Sequence, residues 1–173
     1  MELDKHYLLS DKDLKRIFNG QVKIIKYKKI KDYNDLSELL LPYGRTIILI
    51  ETSPNRGHWT CIFCGEGKQK GKIFYFDSYG VAPDGQLKNI DDDVRLMLGE
   101  GQEDLIPLFH NYDILYNKYP LQARIKGTAT CGRWCAARMI LNNLNSSQFA
   151  KLFLNKKNKP DDIITNATNF YLE

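Results

Sequence analysis

Stretches of apolar residues along the chain predict the strands of a β-sheet. The run RTIILIET at 45–52 is almost continuously apolar, which is typical of a buried central strand. The segments HWTCIFC at 58–64 and KIFYFDSYG at 72–80 are joined by the polar turn GEGKQKG, a pattern that predicts a β-hairpin. Weaker strand patterns occur at 21–30 and 112–119.

Helical patterns fill most of the remaining chain. Ser10 followed by Asp13 predicts a capping box, and Gly20 marks the end of that helix. Further helices are predicted over 33–44, 90–99, 131–144, 146–154 and 160–172. Because strands and helices occur in mixed order, we predict an α+β fold with one sheet flanked by helices, forming a single domain over residues 1–173.

Composition narrows the class of protein. The chain has 173 residues, of which 43% are apolar and 27% charged, which indicates a globular domain and excludes a disordered one. No apolar run is long enough to cross a bilayer, and the charged start MELDKHYLLSDKDLKRIF lacks the apolar core of a signal peptide. We therefore expect a reducing compartment, in which the four cysteines act as thiols, metal ligands or a nucleophile and not as disulfides.

Basic residues add one weaker expectation. The net charge of +4 is mild, but five lysines fall within nine residues, at Lys23, Lys26, Lys28, Lys29 and Lys31. If this segment is a strand, three of them share one face. That arrangement predicts weak nucleic-acid binding through phosphate contacts, without sequence reading.

The predicted hairpin brings a histidine next to a carboxylate. If the turn is symmetric about residues 67 and 68, opposite residues have indices that sum to 135, so His58 faces Asp77 and Ile62 faces Ile73. Directly opposed side chains lie on one face, with their Cβ atoms about 5 Å apart. Asp77 can then accept the Nδ1–H of the imidazole and fix its tautomer, as the orienting acid of a catalytic triad does.

Cys131 begins the predicted helix CGRWCAARMILNNL. A thiol in the first turn of a helix lies at the positive end of the helix dipole, which favours the thiolate. Gly132 leaves room for a substrate backbone, and the N–H groups here can bind an oxyanion. Gln122, at the end of the preceding predicted strand, offers a neutral amide donor for the same oxyanion.

The cysteines allow two other roles. A buried helix cysteine is common, but the presence of His58 and Asp77 favours a nucleophile for Cys131. A zinc site would combine Cys61 and Cys64 with Cys131 and Cys135. Because residues three apart in a strand point to opposite faces, the first pair is poorly placed for a shared metal.

The order of these motifs is similar to that of a known family. HW at 58–59, FDSYG at 76–80, Gln122 and CGRWC at 131–135 resemble the adenain-like and SUMO-specific cysteine proteases, including maturation proteases of large DNA viruses and virophages. The resemblance covers roughly residues 45–140. It implies a papain-like fold with permuted motif order, in which a mixed, mostly antiparallel sheet packs against a central helix that carries the nucleophile.

The same resemblance implies roles for individual residues. His58 would be the base, Asp77 its orienting acid, Gln122 the oxyanion donor and Cys131 the nucleophile. Trp59 would line the entrance of a narrow, glycine-selective cleft, although a packed core role for its indole is equally open. No metal or other cofactor is implied.

The function predicted from the sequence is a cysteine endopeptidase that cleaves near glycine and processes viral capsid or other structural precursors. Its expected location is the virion or the host-cell cytoplasm, and it is expected to act as a monomer with protein substrates and no membrane partner. Three alternatives stay open: a deconjugase of ubiquitin-like proteins, an acetyltransferase that uses the same triad, and a non-enzymatic binding module.

Overall fold

The architecture was read from a computed structural model that describes residues 4–173, so the first three residues of the predicted domain lie outside the described part. One five-stranded mixed sheet has its strands in chain order. Its strands are β1 (Lys23–Lys26), β2 (Arg45–Ser53), β3 (Arg56–Cys64), β4 (Ile73–Phe76) and β5 (Ile114–Tyr116). β2, β3 and β4 are antiparallel, whereas β1 and β5 join the sheet in parallel at its two edges. The predicted α+β class is confirmed, but the middle strand is β3 and not the run at 45–52.

The β3–β4 hairpin forms in a register that differs from the predicted one. Ile62 pairs with Tyr75, and Cys64 pairs with Ile73. A symmetric turn would pair Ile62 with Ile73, so each β3 residue has a partner two residues further along the chain than predicted. The shift arises because the connection between the strands contains a short 3₁₀ turn at Gly67–Gln69. A shift by two preserves the face of every side chain. His58 and Asp77 thus remain neighbours, as a diagonal pair instead of a directly opposed one.

Within residues 4–173, seven α-helices surround the sheet. They are α1 (Asp11–Ile17), α2 (Leu36–Leu40), α3 (Asp92–Leu98), α4 (Leu105–Leu108), α5 (Cys131–Ile140), α6 (Ser146–Lys151) and α7 (Pro160–Asn169). α1 begins with the predicted capping box of Ser10 and Asp13, and α3 ends at Gly99 in the left-handed conformation (φ 76°). α4 was not predicted, since a helix of one turn leaves no periodic pattern to detect.

The sheet separates two apolar cores. On one face, residues of β3 such as Trp59 and Phe63 pack with α5, including the fully buried Trp134. On the other face, Ile62 and Tyr75 pack with the 3₁₀ segment Tyr27–Asp32, α2 and α4. Burial on both faces explains the unbroken apolar runs at 47–50 in β2 and 61–64 in β3. None of the helices within residues 4–173 combines the length and apolar character needed to cross a membrane.

The lysine-rich segment does not form the predicted three-lysine face. β1 ends at Lys26, and the chain then turns into the 3₁₀ segment Tyr27–Asp32, so Lys29 and Lys31 leave the strand that carries Lys23. The Lys23 ammonium donates a hydrogen bond of 2.7 Å to the Glu38 carbonyl and lies over the Tyr33 ring. The geometry on which nucleic-acid binding was predicted is therefore absent from the described chain.

Two carboxylates are buried together where β2 ends. Glu51 and Glu100 are 1% and 0% exposed, and the Glu51 N–H donates to Glu100 Oε1 over 2.7 Å. Glu51 Oε2 accepts from the Asn55 N–H and lies 3.4 Å from the Lys26 ammonium. One oxygen of each carboxylate has no hydrogen-bond partner among residues 4–173. Burial, and then the nearby charge of Glu51, raise the pKa of Glu100 to about 7.

We expect Glu100→Gln to stabilise the fold at neutral and alkaline pH. Because the pKa of Glu100 is higher in the folded than in the unfolded chain, ionisation opposes folding above about pH 7, and the penalty disappears as the pH falls towards 4.5. An amide still accepts from the Glu51 N–H but carries no charge. Urea unfolding should show a gain of about 1 to 2 kcal/mol at pH 8.

The exposed Glu103→Gln is the matched control, because it removes a carboxylate only three residues away without changing a buried charge. Its free energy of unfolding should stay at the wild-type value. A Glu100→Gln protein that is less stable than wild type at pH 8 would contradict this account of the pair.

Candidate active site

Cys131 begins α5, the helix that packs against β3. Thr130 is the N-cap residue, and its hydroxyl donates to Asp161 over 2.6 Å instead of capping the helix. The N–H groups of the first turn therefore receive no side-chain cap from Thr130, and Cys131 begins the helix at the positive end of its dipole. Cys131 is 3% exposed, and its Sγ accepts a hydrogen bond of 3.4 Å from the Trp59 N–H. One turn later, the Cys135 thiol donates to the Trp59 carbonyl over 3.5 Å, so one peptide segment of β3 fixes the helix start.

The imidazole of His58 lies between Asp77 and Cys131. Its Nε2 is 3.0 Å from Asp77 Oδ1, so the nitrogen facing the carboxylate is Nε2 and not the predicted Nδ1. Cys131 also lies close enough to the ring to raise the pKa of His58. Because Nε2 is occupied by Asp77, Nδ1 is the nitrogen left for the sulfur. The structure thus brings together the base, the acid and the thiol that were identified in the sequence.

Electrostatics favour a charged imidazole in this position. Burial by itself disfavours the cation, but hydrogen bonds to Asp77 and Cys131, together with their negative charge, outweigh burial and raise the pKa of His58 to about 10. A ring that stays protonated at neutral pH is the partner that an anionic thiolate needs.

Asp77 is held by donors that the sequence did not reveal. The residue is fully buried. In addition to His58, it accepts hydrogen bonds from the Tyr79 N–H (2.8 Å) and from Gln86 Nε2 (2.9 Å). Gln86 lies in the 3₁₀ segment Gly85–Asn89, nine residues from Asp77, and no short motif connects the two. These three hydrogen bonds replace the hydrogen bonds to water that the carboxylate loses on burial.

Gln122 lies next to this group but not at the end of a strand. β5 ends at Tyr116, and Gln122 follows in an irregular segment whose N–H donates to the Ser78 carbonyl over 3.0 Å. Its side-chain Oε1 accepts from the Ser78 hydroxyl over 2.7 Å. Its Nε2 lies 3.2 Å from the Tyr79 hydroxyl and 3.4 Å from the Thr128 carbonyl. The amide is therefore oriented with its nitrogen away from Ser78.

Trp59 has the packed core role, and its place at the entrance of a substrate cleft stays a prediction. Its indole is 5% exposed and belongs to the apolar core, and its Nε1–H donates to the Leu9 carbonyl over 2.9 Å. It also lines a groove of about 510 Å³. The other lining residues include Leu8, Leu9, Ile24, Leu49 and Gly57.

Gly132 contacts protein where a substrate backbone was predicted. A Cβ on this residue would lie 3.1 Å from the Trp59 ring and 3.2 Å from Leu9 Cβ. Gly132 is buried, so the absent side chain allows α5 to approach β3 and the N-terminal segment closely. This packing role corrects the predicted substrate contact.

The cysteines do not assemble into the alternative zinc site. All four are free thiols. Cys61, Cys131 and Cys135 belong to one core, whereas Cys64 packs against the other face of the sheet. Among residues 4–173, no three His, Cys, Asp or Glu side chains group in a way that could hold a metal ion.

Comparison with known proteins places this chain in a family. No family model matches the sequence. It is 31% identical over 166 residues to a protein of Sputnik virophage named "Uncharacterized protein V9", with 92% of this chain and 93% of that protein covered. The chain belongs to the V9 family. The alignment covers nearly the full length of both proteins, so it includes the sheet and the helices around it.

The fold of this V9-family chain is similar to that of a solved viral protease. It is similar to the crystal structure of the ASFV pS273R protease, with a TM-score of 0.55 and 13% sequence identity. The similarity covers 98% of this chain and 68% of the ASFV protein. The predicted fold, a mixed sheet flanked by helices, is confirmed by this likeness.

We expect Asp77→Asn to lower the pKa of His58 from about 10 towards or below its ordinary value near 6.5, because it removes the negative charge and leaves burial of the ring. The stabilisation from the charged ring is fully present below pH 6.5 and is lost as the pH rises to about 10, so the variant should lose most stability at low and neutral pH. An NMR titration of the imidazole carbons measures the midpoint directly.

With three histidines in the chain, His6→Gln and His110→Gln assign the signals. The exposed Asp92→Asn serves as the charge-matched control and should leave the midpoint unchanged. An equal midpoint in wild type and Asp77→Asn would show that the carboxylate does not hold the ring charged.

Proposed function

We propose that this V9-family chain is a cysteine endopeptidase. The observation that carries the proposal is the His58 imidazole held between the buried Asp77 carboxylate, at 3.0 Å, and the Cys131 thiol at the start of α5. A nucleophile, a base and a group that orients the base are the parts that acyl transfer by a thiol requires. The viral protease-like fold supports the same reaction class.

The mechanism follows from the positions of these groups. The proton of the Cys131 thiol resides on His58 Nδ1, so the nucleophile is a thiolate beside an imidazolium. The thiolate attacks the scissile carbonyl, and the oxyanion forms near the Cys131 N–H and Gln122. His58 then returns its proton to the leaving amine, and a water activated by His58 hydrolyses the thioester. Asp77 keeps the ring oriented throughout.

For the substrate we propose protein precursors of a virus, cut next to glycine. The viral protease-like fold supports a protein substrate, and the V9 relative of a virophage supports a viral one. We propose that the protein acts as a monomer, because one chain supplies every residue of the site. Its proposed location is the virion or the host-cell cytoplasm. No cofactor enters any step of the mechanism.

Replacement of the thiol tests the reaction. We expect Cys131→Ala to abolish cleavage of glycine-containing peptides, since removing a nucleophile costs several orders of magnitude in kcat. Unfolding should stay close to wild type because one sulfur is lost. Peptide cleavage followed by mass spectrometry measures the first effect, and thermal melting measures the second.

Cys64→Ser is the matched control, because Cys64 packs on the opposite face of the sheet and should leave cleavage intact. Cleavage by Cys131→Ala at the wild-type rate would refute the assignment. Parallel assays with ubiquitin-like conjugates and with acetyl-CoA as acyl donor separate deconjugation and acetyl transfer from endopeptidase activity.

Glycine selectivity is tested with paired peptides that differ only by Gly or Ala next to the scissile bond. We expect kcat/KM to fall at least about tenfold for alanine if a Cβ meets the wall of a narrow cleft, since one added methyl in a tight pocket costs 1 to 3 kcal/mol. Peptides with valine at the same position should be cut still more slowly. Equal cleavage of all three peptides would contradict the proposed selectivity.

A further inference from the structure

Tyr79 forms the outer wall of the candidate active site. Its ring stacks on the His58 imidazole, with centroids 4.8 Å apart and planes inclined by 17°. On the opposite side, the Arg124 guanidinium lies 4.3 Å from the centroid of the Tyr79 ring. The phenol ring is therefore held between the proposed base and a cation, which leaves little freedom for its hydroxyl to move.

The Tyr79 hydroxyl is joined to the Gln122 amide. Gln122 Nε2 donates to it over 3.2 Å, and the other Nε2 hydrogen faces the Thr128 carbonyl at 3.4 Å. Because the Ser78 hydroxyl donates to Oε1, the amide cannot flip without losing these contacts. Both N–H bonds of the amide are thus already directed at protein acceptors.

The hydroxyl hydrogen of Tyr79 is the unused donor of this group. Tyr79 accepts from Gln122, and within the described chain, residues 4–173, its own O–H donates to no acceptor. A hydroxyl that accepts one hydrogen bond becomes a stronger donor, because hydrogen bonds in a chain polarise one another. The Arg124 cation on the ring acts in the same direction by drawing electron density from the phenol.

The hydroxyl also lies beside the candidate triad. Its ring stacks on the His58 imidazole, and the hydroxyl itself accepts from the Gln122 amide, the group that the sequence predicts as the oxyanion donor. An oxyanion that forms on the carbon bonded to Cys131 Sγ develops in this same region.

We propose that Tyr79 is a catalytic residue that donates its hydroxyl hydrogen bond to the oxyanion, with Gln122 behind it as the group that orients and polarises the hydroxyl. The inference rests on the proposed cysteine-protease chemistry and deepens it. It assigns Gln122 a positioning role in place of direct contact, and it requires no rearrangement of the amide. Ser78 supports the arrangement by fixing the amide oxygen.

The test compares two reagents for the same thiol. A peptide aldehyde ending in glycinal forms a thiohemiacetal: the Sγ–carbon bond forms, the thiol proton moves to the carbonyl oxygen, and that oxygen occupies the oxyanion position. Iodoacetamide alkylates the thiolate at a saturated carbon with loss of iodide and forms no oxyanion. The difference between the two reagents therefore isolates the oxyanion donor from the reactivity of the thiol.

We expect Tyr79→Phe, which keeps the ring stack, to weaken aldehyde binding and to lower kcat for peptide cleavage by about tenfold or more, with KM little changed. Its alkylation rate and the pH dependence of that rate should equal those of wild type. The matched control is Tyr119→Phe, whose hydroxyl makes no hydrogen bond among residues 4–173 and lies on the same irregular segment as Gln122. This variant should match wild type with both reagents.

Unchanged or tighter aldehyde binding by Tyr79→Phe would overturn the proposal and leave Gln122 as the direct donor. A parallel loss of alkylation would also overturn it, because the hydroxyl would then act on the His58–Cys131 pair. If wild type binds the aldehyde no better than Cys131→Ala, the proposed protease chemistry itself fails, and the role of Tyr79 fails with it.

Discussion

The hydrogen bond between His58 Nε2 and the buried carboxylate of Asp77 is the interaction on which the rest of the site depends. A carboxylate with no exposed surface is costly unless it is fully hydrogen-bonded, and Asp77 receives three donors, from His58, the Tyr79 N–H and Gln86. In return, its charge keeps the imidazole protonated and turns Nδ1 towards Cys131. Asp77, at the end of β4, thereby determines the orientation of the His58 ring on β3.

The position of the thiol depends on a second set of contacts, centred on Asp161 of α7. This buried carboxylate accepts from the Thr130 hydroxyl, the Trp134 indole N–H and the Ala123 N–H. It therefore ties the start of α5, which carries the nucleophile, to the segment that carries Gln122. Gly132 completes the arrangement by allowing α5 to contact Trp59 closely.

Patterns of local sequence predicted much of this fold. The apolar runs identified β2, β3 and β4, the capping box identified α1, and alternation across the hairpin placed His58 and Asp77 on the same face. The register was wrong by two residues because the 3₁₀ turn at Gly67–Gln69 has no clear sequence signal, yet a shift by two preserves the face.

Contacts between distant segments were not predictable in the same way. Gln86 reaches Asp77 from a 3₁₀ segment, Asp161 reaches Thr130 from thirty-one residues away, and Gly132 faces a core that forms only when the chain folds. Tyr79 stood within the FDSYG motif, but its stacking on His58 depends on the two-residue shift that brings it opposite that residue. The choice of imidazole nitrogen likewise depends on tertiary geometry and not on spacing.

Covalent trapping with a peptide that ends in a glycine vinyl methyl ester, followed by peptide mapping, tests the central claim most directly. The reagent joins its β-carbon to a thiolate only where an activated cysteine meets a site that accepts the peptide. We predict one adduct, on Cys131, which is lost in His58→Gln and absent from Cys61, Cys64 and Cys135. An adduct spread over the cysteines, or one on Cys131 that forms equally fast in His58→Gln, would contradict the assignment of a His58-activated nucleophile.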